Sequence, residues 1–316
     1  MSIKKTSLSI LISIIFSTSI FIVAIIQFEH FTNYENEFFS QKFNPETQKI
    51  LMLGSSQIGQ VDMNVINDYV RNYASKTEIF NLAKIGDLPS ERIKTLDEII
   101  AIQPKLVIYG ISHRDLGSYE EENRKLNNNE SIFHFNIDEK EIEKYTKPRI
   151  IVFKAIKKFL NYNESEKEMA PFYPQNVKSM SIIRSDKFIE KEYETRSKES
   201  IGLVDYIQTK SKNEKIKDLV TIIEKLKENN ISIILIVLPQ DKFHIKLIND
   251  EVNNQFNSII NEIQKENKIK VISLYKKYQN MDIWTLPSHI AYDNPNTLVY
   301  SKDLADIIIK EIKKWF

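Results

Sequence analysis

Ile50-Leu51-Met52-Leu53-Gly54-Ser55-Ser56-Gln57 is an apolar run that stops abruptly at a glycine and two serines. An unbroken run of this length, without polar alternation, reads as a strand buried on both faces, as in parallel sheets. We place this first strand at Lys49–Leu53. Four further runs share its character: Glu78–Leu82, Lys105–Tyr109, Ser232–Leu238 and Lys270–Leu274. Amphipathic helices are expected between and after them, at Val61–Tyr73, Ser90–Ile102, Lys215–Asn229, Asp250–Glu266 and Ser301–Trp315. In the last, Leu304, Ile307, Ile308 and Ile312 fall on one face.

Alternation of strand and helix predicts an α/β fold, a doubly wound (flavodoxin-like) five-stranded parallel sheet. The rhythm breaks between about 117 and 213, where Lys, Glu and Asn dominate and aromatics such as Phe133, Phe153 and Tyr173 are interspersed. This is read as a helical insertion between the third and fourth strands. Short helices are expected at Asp138–Tyr145 and at Arg149–Leu160, the second opened by Pro148. The α/β domain then spans 48–316, preceded by a linker at 29–47.

No charged residue occurs from Thr6 to Phe28. The run exceeds the roughly 20 residues that cross a hydrocarbon core. Within lipid, a helix is the one single-segment way to satisfy the backbone. The stretch Ala24-Ile25-Ile26-Gln27 offers no small-x-small cleavage site, so residues 1–28 are expected to be a cytoplasmic stub and a retained transmembrane anchor. Lys4 and Lys5 precede the span, and Glu29, Glu35 and Glu37 follow it. This charge bias predicts a single-pass protein with its N-terminus in the cytoplasm, its domain outside, and the bilayer as partner through residues 6–28.

Charge narrows the remaining classes. With 44 basic and 43 acidic residues the formal charge is +1, without the clustered basic excess of a nucleic-acid binder. The absence of cysteine removes disulfides and thiolate chemistry. The sequence shows neither metal-ligand spacing nor a glycine-rich phosphate loop, so no metal or cofactor is expected. The Asn129, Asn163 and Asn230 sequons read as chance matches in an Asn-rich chain.

Ligands of open α/β sheets collect at the carboxyl ends of strands. There stand Ser56 after the first strand, Gly86 after the second, Gly110-Ile111-Ser112-His113 after the third, and His289 before the closing helix. Each has a plainer reading taken singly. A serine caps a helix, a glycine turns a chain, and a loop histidine is solvated. Gln240 and Asp241, ending the fourth strand, could line the same pocket or form a polar turn. His30, His134 and His244 have no supporting context.

Taken in order, Gly54-Ser55-Ser56, Gly86, Gly110-Ile111-Ser112 and His289 resemble the blocks of the SGNH (GDSL-like) hydrolase and acyltransferase superfamily. The Gly-Ser-Ser form is also found in its membrane-anchored cell-envelope members. The resemblance covers roughly 48–115 and 230–312. It implies Ser56 as nucleophile and His289 as its general base. It implies an oxyanion hole from the backbone N–H groups of Ser56 and Gly86 with a side chain of the third block, here Ser112. Two positions depart from the family pattern. Ser112 stands where the family has Asn, and Leu286 where it has the Asp that orients the histidine. Asp282 is the nearest replacement and Asp293 lies four residues after the histidine.

The resemblance and the anchor together imply a membrane-tethered, extracytoplasmic serine esterase or O-acyltransferase acting on envelope glycans, glycolipids or lipids. A catalytically inactive scaffold that binds or helps assemble envelope polymers is the alternative, favoured by Leu286. A third possibility is an α/β domain in which Ser56 and His289 never meet.

Overall fold

The computed structural model describes residues 38–84, 86–117, 182–198, 206–286, 288–291 and 295–315. Of these, all beyond Ser40 belong to one compact unit built from 41–130 and 170–316. The anchor segment Thr6–Phe28 and the insertion helices expected at 138–145 and 149–160 lie outside the described residues. Among the described residues, no helix is long and apolar enough to cross a membrane.

The five strands form at the apolar runs: β1 (Gln48–Leu53), β2 (Thr77–Asn81), β3 (Leu106–Ile111), β4 (Ser232–Val237) and β5 (Lys270–Ser273). They make one parallel sheet in the order β2-β1-β3-β4-β5. Every residue of β3 is buried, as is all of β1 beyond its first residue, which is why these stretches read as continuous apolar runs. Ile50, Met52, Ile108, Ile234 and Ile236 share one core with Ile66, Val70, Leu304 and Ile308. The last four come from α2 (Met63–Tyr73) and α10 (Leu298–Ile312), which pack on each other over that face.

The remaining helices of the domain are α1 (Ser56–Gly59), α3 (Pro89–Arg92), α4 (Leu96–Ala101), α5 (His113–Leu116), α6 (Asp186–Lys198), α7 (Glu214–Glu228), α8 (Lys242–Leu247) and α9 (Asp250–Asn267). Two sequence expectations are corrected here. The helix placed at Ser90–Ile102 is broken, because Arg92 turns its side chain inward and a 3-10 turn at Ile93–Thr95 separates α3 from α4. The helix placed at Val61 begins instead at Met63, where Asp62 caps it by accepting from the N–H groups of Asn64 and Val65. Helix α6, at the end of the insertion, is too polar for its sequence to betray it. It is held by Ile189 and Tyr193, one turn apart on its buried side.

From β1 the chain goes outward to β2, then returns across β1 to β3 and continues to β5. The order therefore reverses between β1 and β3. Their carboxyl ends frame the crevice where an open α/β sheet holds its ligand. Ser56 follows β1 at that point.

Candidate active site

Gly54 makes the turn out of β1 at φ +124°, a backbone conformation that a side chain resists. A Cβ there would stand 2.5 Å from the carbonyl oxygen of Gly110 on β3. The two strand ends approach so closely because residue 54 is glycine, and a Cβ on Gly110 would instead strike the Ile58 side chain of α1 at 2.7 Å. The turn makes Ser55, not Ser56, the residue before α1, in extended geometry and without a side-chain cap bond. The capping explanation for Ser56 thereby lapses. Its hydroxyl lies instead 2.8 Å from Nε2 of His289, a residue 233 positions away in the chain. Both are nearly sealed, at 8% and 9% exposure.

His289 is not in an open loop, as its sequence suggested. It lies on β7 (His289–Ile290), paired antiparallel with β6 (Trp284–Leu286), and Leu286 is its cross-strand partner. The hydroxyl oxygen of Ser288 is 3.1 Å from Nδ1. An imidazole that accepts from Ser56 at Nε2 carries its proton at Nδ1, where Ser288 then accepts it. That is the tautomer a general base requires.

Three site residues follow β1, β2 and β3, which run parallel, so Ser56, Gly86 and Ser112 lie at one edge of the sheet. His289 joins them through Ser56. Gly86 has φ +72°, and a Cβ there would meet nothing within 4 Å, which leaves the backbone open on that side. Ser112 is differently occupied. Its Oγ donates to Asp115 Oδ2 at 2.8 Å, and its N–H donates to the same oxygen at 2.6 Å, closing a capping box on α5. The expectation that Ser112 completes the oxyanion hole is therefore corrected. Its proton is committed elsewhere.

Asp282 is corrected likewise. It is exposed on the bend before β6, whereas the Nδ1 contact is made by Ser288. Asp293 lies outside the described residues. We expect Asp282→Asn to leave any turnover of an activated test ester within about twofold of the parent. Ser288→Ala, which removes the hydroxyl beside Nδ1, should lower kcat by about tenfold or more, since fixing ring and tautomer matters. Steady-state kinetics on the two variants check this, and a steep loss in Asp282→Asn would restore the carboxylate.

Asp241 forms the polar turn, accepting from the His244 N–H at 2.7 Å to cap α8. Gln240 is sealed at the end of β4, 1% exposed, and donates from Nε2 to Gln57 Oε1 at 3.1 Å. Sequence reasoning passed over Gln57, Ser288, Asp87 and Arg92. The last two form a buried ion pair beneath the Gly86 turn, with Arg92 Nε 3.0 Å from Asp87 Oδ2. Burial pushes the Asp87 carboxyl up, while Arg92, Lys84 and the Gly54 N–H pull it back. Among the described residues, no group of three or more His, Asp or Glu side chains could hold a metal ion.

Beside Ser112, His113 is buried, stacked 4.1 Å from the Phe256 ring, with Nε2 3.2 Å from Asn253 Oδ1. Burial pushes its pKa down from 6.5 to about 4, against the pull of the Asn253 bond. As pH falls through that window the unfolded chain takes up a proton that the folded one refuses. His113 should thus remove up to about 3 kcal/mol of stability between pH 6.5 and 4. Asp115, pushed up to about 6 by burial despite its Ser112 bonds, acts in the opposite sense over part of that range. Comparing His113→Gln with the parent cancels the Asp115 contribution. Urea unfolding at pH 7 and pH 4.5 should show a smaller loss in the variant, and equal losses would refute the assignment.

No family model and no curated protein matches this sequence. Solved structures similar to it include an acetyl xylan esterase, with 10% identity over 84% of this chain and 99% of that one at a TM-score of 0.44. A GDSL-like lipase from Bacteroides thetaiotaomicron VPI-5482 shares 11% identity over 89% of this chain and 99% of that one, at 0.43. A psychrotrophic esterase from Pseudoalteromonas sp. shares 11% over 85% and 98%, at 0.39. At TM-scores below 0.5 these overlaps decide neither activity nor substrate.

Proposed function

We propose that this protein is an SGNH-like serine esterase or O-acyltransferase with Ser56 as nucleophile and His289 as its base. One observation carries the proposal. Two residues 233 positions apart place a hydroxyl and an imidazole nitrogen at 2.8 Å, beside the crevice where the strand order reverses.

The chemistry follows from that contact. Ser56 Oγ attacks the carbonyl carbon of an ester as its proton passes to Nε2 of His289, and the carbonyl oxygen takes up the electron pair. That oxygen would be held by backbone N–H groups at the start of α1 and in the open Gly86 turn. Collapse expels the alcohol, which takes the proton back from Nε2 and leaves an acyl group on Ser56. Water or an acceptor hydroxyl then removes the acyl group by the same steps reversed.

Membrane tethering and an envelope glycan, glycolipid or lipid substrate belong to the same proposal. The uncharged run Thr6–Phe28 and the preceding Lys4 and Lys5 support them. Leu286, standing where the family has the Asp that orients the histidine, favours the alternative of an inactive scaffold. A fluorophosphonate probe separates the two, since only an activated serine is phosphonylated. Mass spectrometry should find the adduct on Ser56. An unlabelled protein would sink the enzymatic reading and leave the scaffold.

A further inference from the structure

We propose that the side-chain amide of Gln57, held by Gln240, supplies the third oxyanion donor, in the place that Ser112 gives up to Asp115. The inference rests on the serine-enzyme reading above and concerns how that site stabilises developing charge.

Sheet order supplies the geometry. Gln57 follows β1 directly after the nucleophile, and Gln240 follows β4. Between those strands lies β3. At about 4.8 Å per strand, β1 and β4 stand about 10 Å apart, which two glutamine side chains meeting head to head can span. Their hydrogen bond, Gln240 Nε2 to Gln57 Oε1 at 3.1 Å, therefore crosses over the carboxyl end of β3. That is where Ser112 begins α5 and where the third block of the site would offer its side chain. Ser112 Oγ, however, donates to Asp115.

The pairing also fixes which end of the Gln57 amide is free. Its oxygen accepts from Gln240, so its NH2 is the end left to donate, and among the described residues it meets no acceptor. Gln240 is sealed at 1% exposure, while Gln57 keeps 7% of its surface open. Among the described residues, Gln240 Oε1 is itself buried without a partner. A pair kept only for stability would not carry that cost, of the order of 1–3 kcal/mol. A rigid N–H donor beside the nucleophile is what an oxyanion requires, because charge developing in a nearly dry site is stabilised by dipoles already in position.

Gln57→Met keeps the length of the side chain and removes the donor. It should lower both kcat for an activated acetate ester and the rate of phosphonylation of Ser56 by about 10²–10³-fold. KM should stay near the parent value, a split from kcat that a merely structural role would not produce, while Tm should fall by several degrees because the sealed Gln240 Nε2 loses its acceptor. A folded Gln57→Met that reacts at the parent rate overturns the inference and leaves Ser56 and His289 untouched. A parent protein that is never phosphonylated overturns both. Should Gln57→Met fail to fold, Gln240→Met decides. Releasing the amide should cost about tenfold in the same rates, and an unchanged rate overturns the proposal.

Discussion

Replacing Ser56 with alanine is expected to lower turnover of an activated ester by about 10⁴-fold or more while leaving the protein folded. In the triad template, residual catalysis after loss of a member comes from the oxyanion hole and from binding. The fold should tolerate the change, because the Ser56 hydroxyl bonds to His289 across the crevice and α1 takes its N-cap from Ser55. A hydroxyl-to-hydrogen change of this kind typically shifts stability by about 1 kcal/mol. The same logic predicts non-additivity. His289→Ala should be nearly as damaging as Ser56→Ala, and the double variant hardly worse than either, because the two residues act as a unit. Initial rates and thermal melts on the three variants test this. Ester turnover at the parent rate in Ser56→Ala would refute the assignment of the nucleophile.

Arg92→Ala is expected to cost about 3–5 kcal/mol of folding stability, the usual result of breaking a fully buried ion pair from one side. Neither side chain of the Asp87–Arg92 pair has any solvent exposure. Besides Asp87, the Arg92 guanidinium donates from Nη2 to the Leu82 carbonyl at 2.8 Å. Truncation would strand a carboxylate and a carbonyl in the interior at once. Since a domain is stable by only about 5–15 kcal/mol, a large part of the margin would go. Denaturant midpoints measure it. Lys84 sets the informative exception, because its ammonium also faces Asp87, and its pKa is pushed down to about 8, by burial first and by Arg92 second. A loss below about 1 kcal/mol would mean that Lys84 replaces the missing guanidinium. Because the pair underlies the Gly86 turn, activity should fall together with stability.

The three central strands were legible because burial on both faces leaves a chain no room for polar alternation, so Ile50–Leu53 or Ile233–Val237 can be read without knowing their neighbours. The edge strands β2 and β5 are only partly buried and were read from their short apolar runs. Helix edges were less legible. The interruption of the segment after Pro89 depends on where Arg92 sends its side chain, and nothing local in Ser90–Ile102 announces an inward arginine. The insertion's final helix escaped because a helix with a mostly exposed surface carries little apolar signal.

The sequence by itself determined the parallel sheet, the presence of Gly54, Ser56 and Gly86 after strands, and that of His289 before the closing helix, since these follow from local hydrophobic pattern and position along the chain. Tertiary structure alone decided what each one does. It put Ser55 rather than Ser56 at the helix cap, freed the Ser56 hydroxyl for His289, and set the Ser288 hydroxyl at the far nitrogen. It turned Ser112 toward Asp115 and joined Gln57 to Gln240 across the end of β3. The physical reason is the same throughout. Hydrophobic periodicity is a property of neighbours in the chain, whereas a hydrogen bond is chosen among groups that only folding brings within about 3 Å.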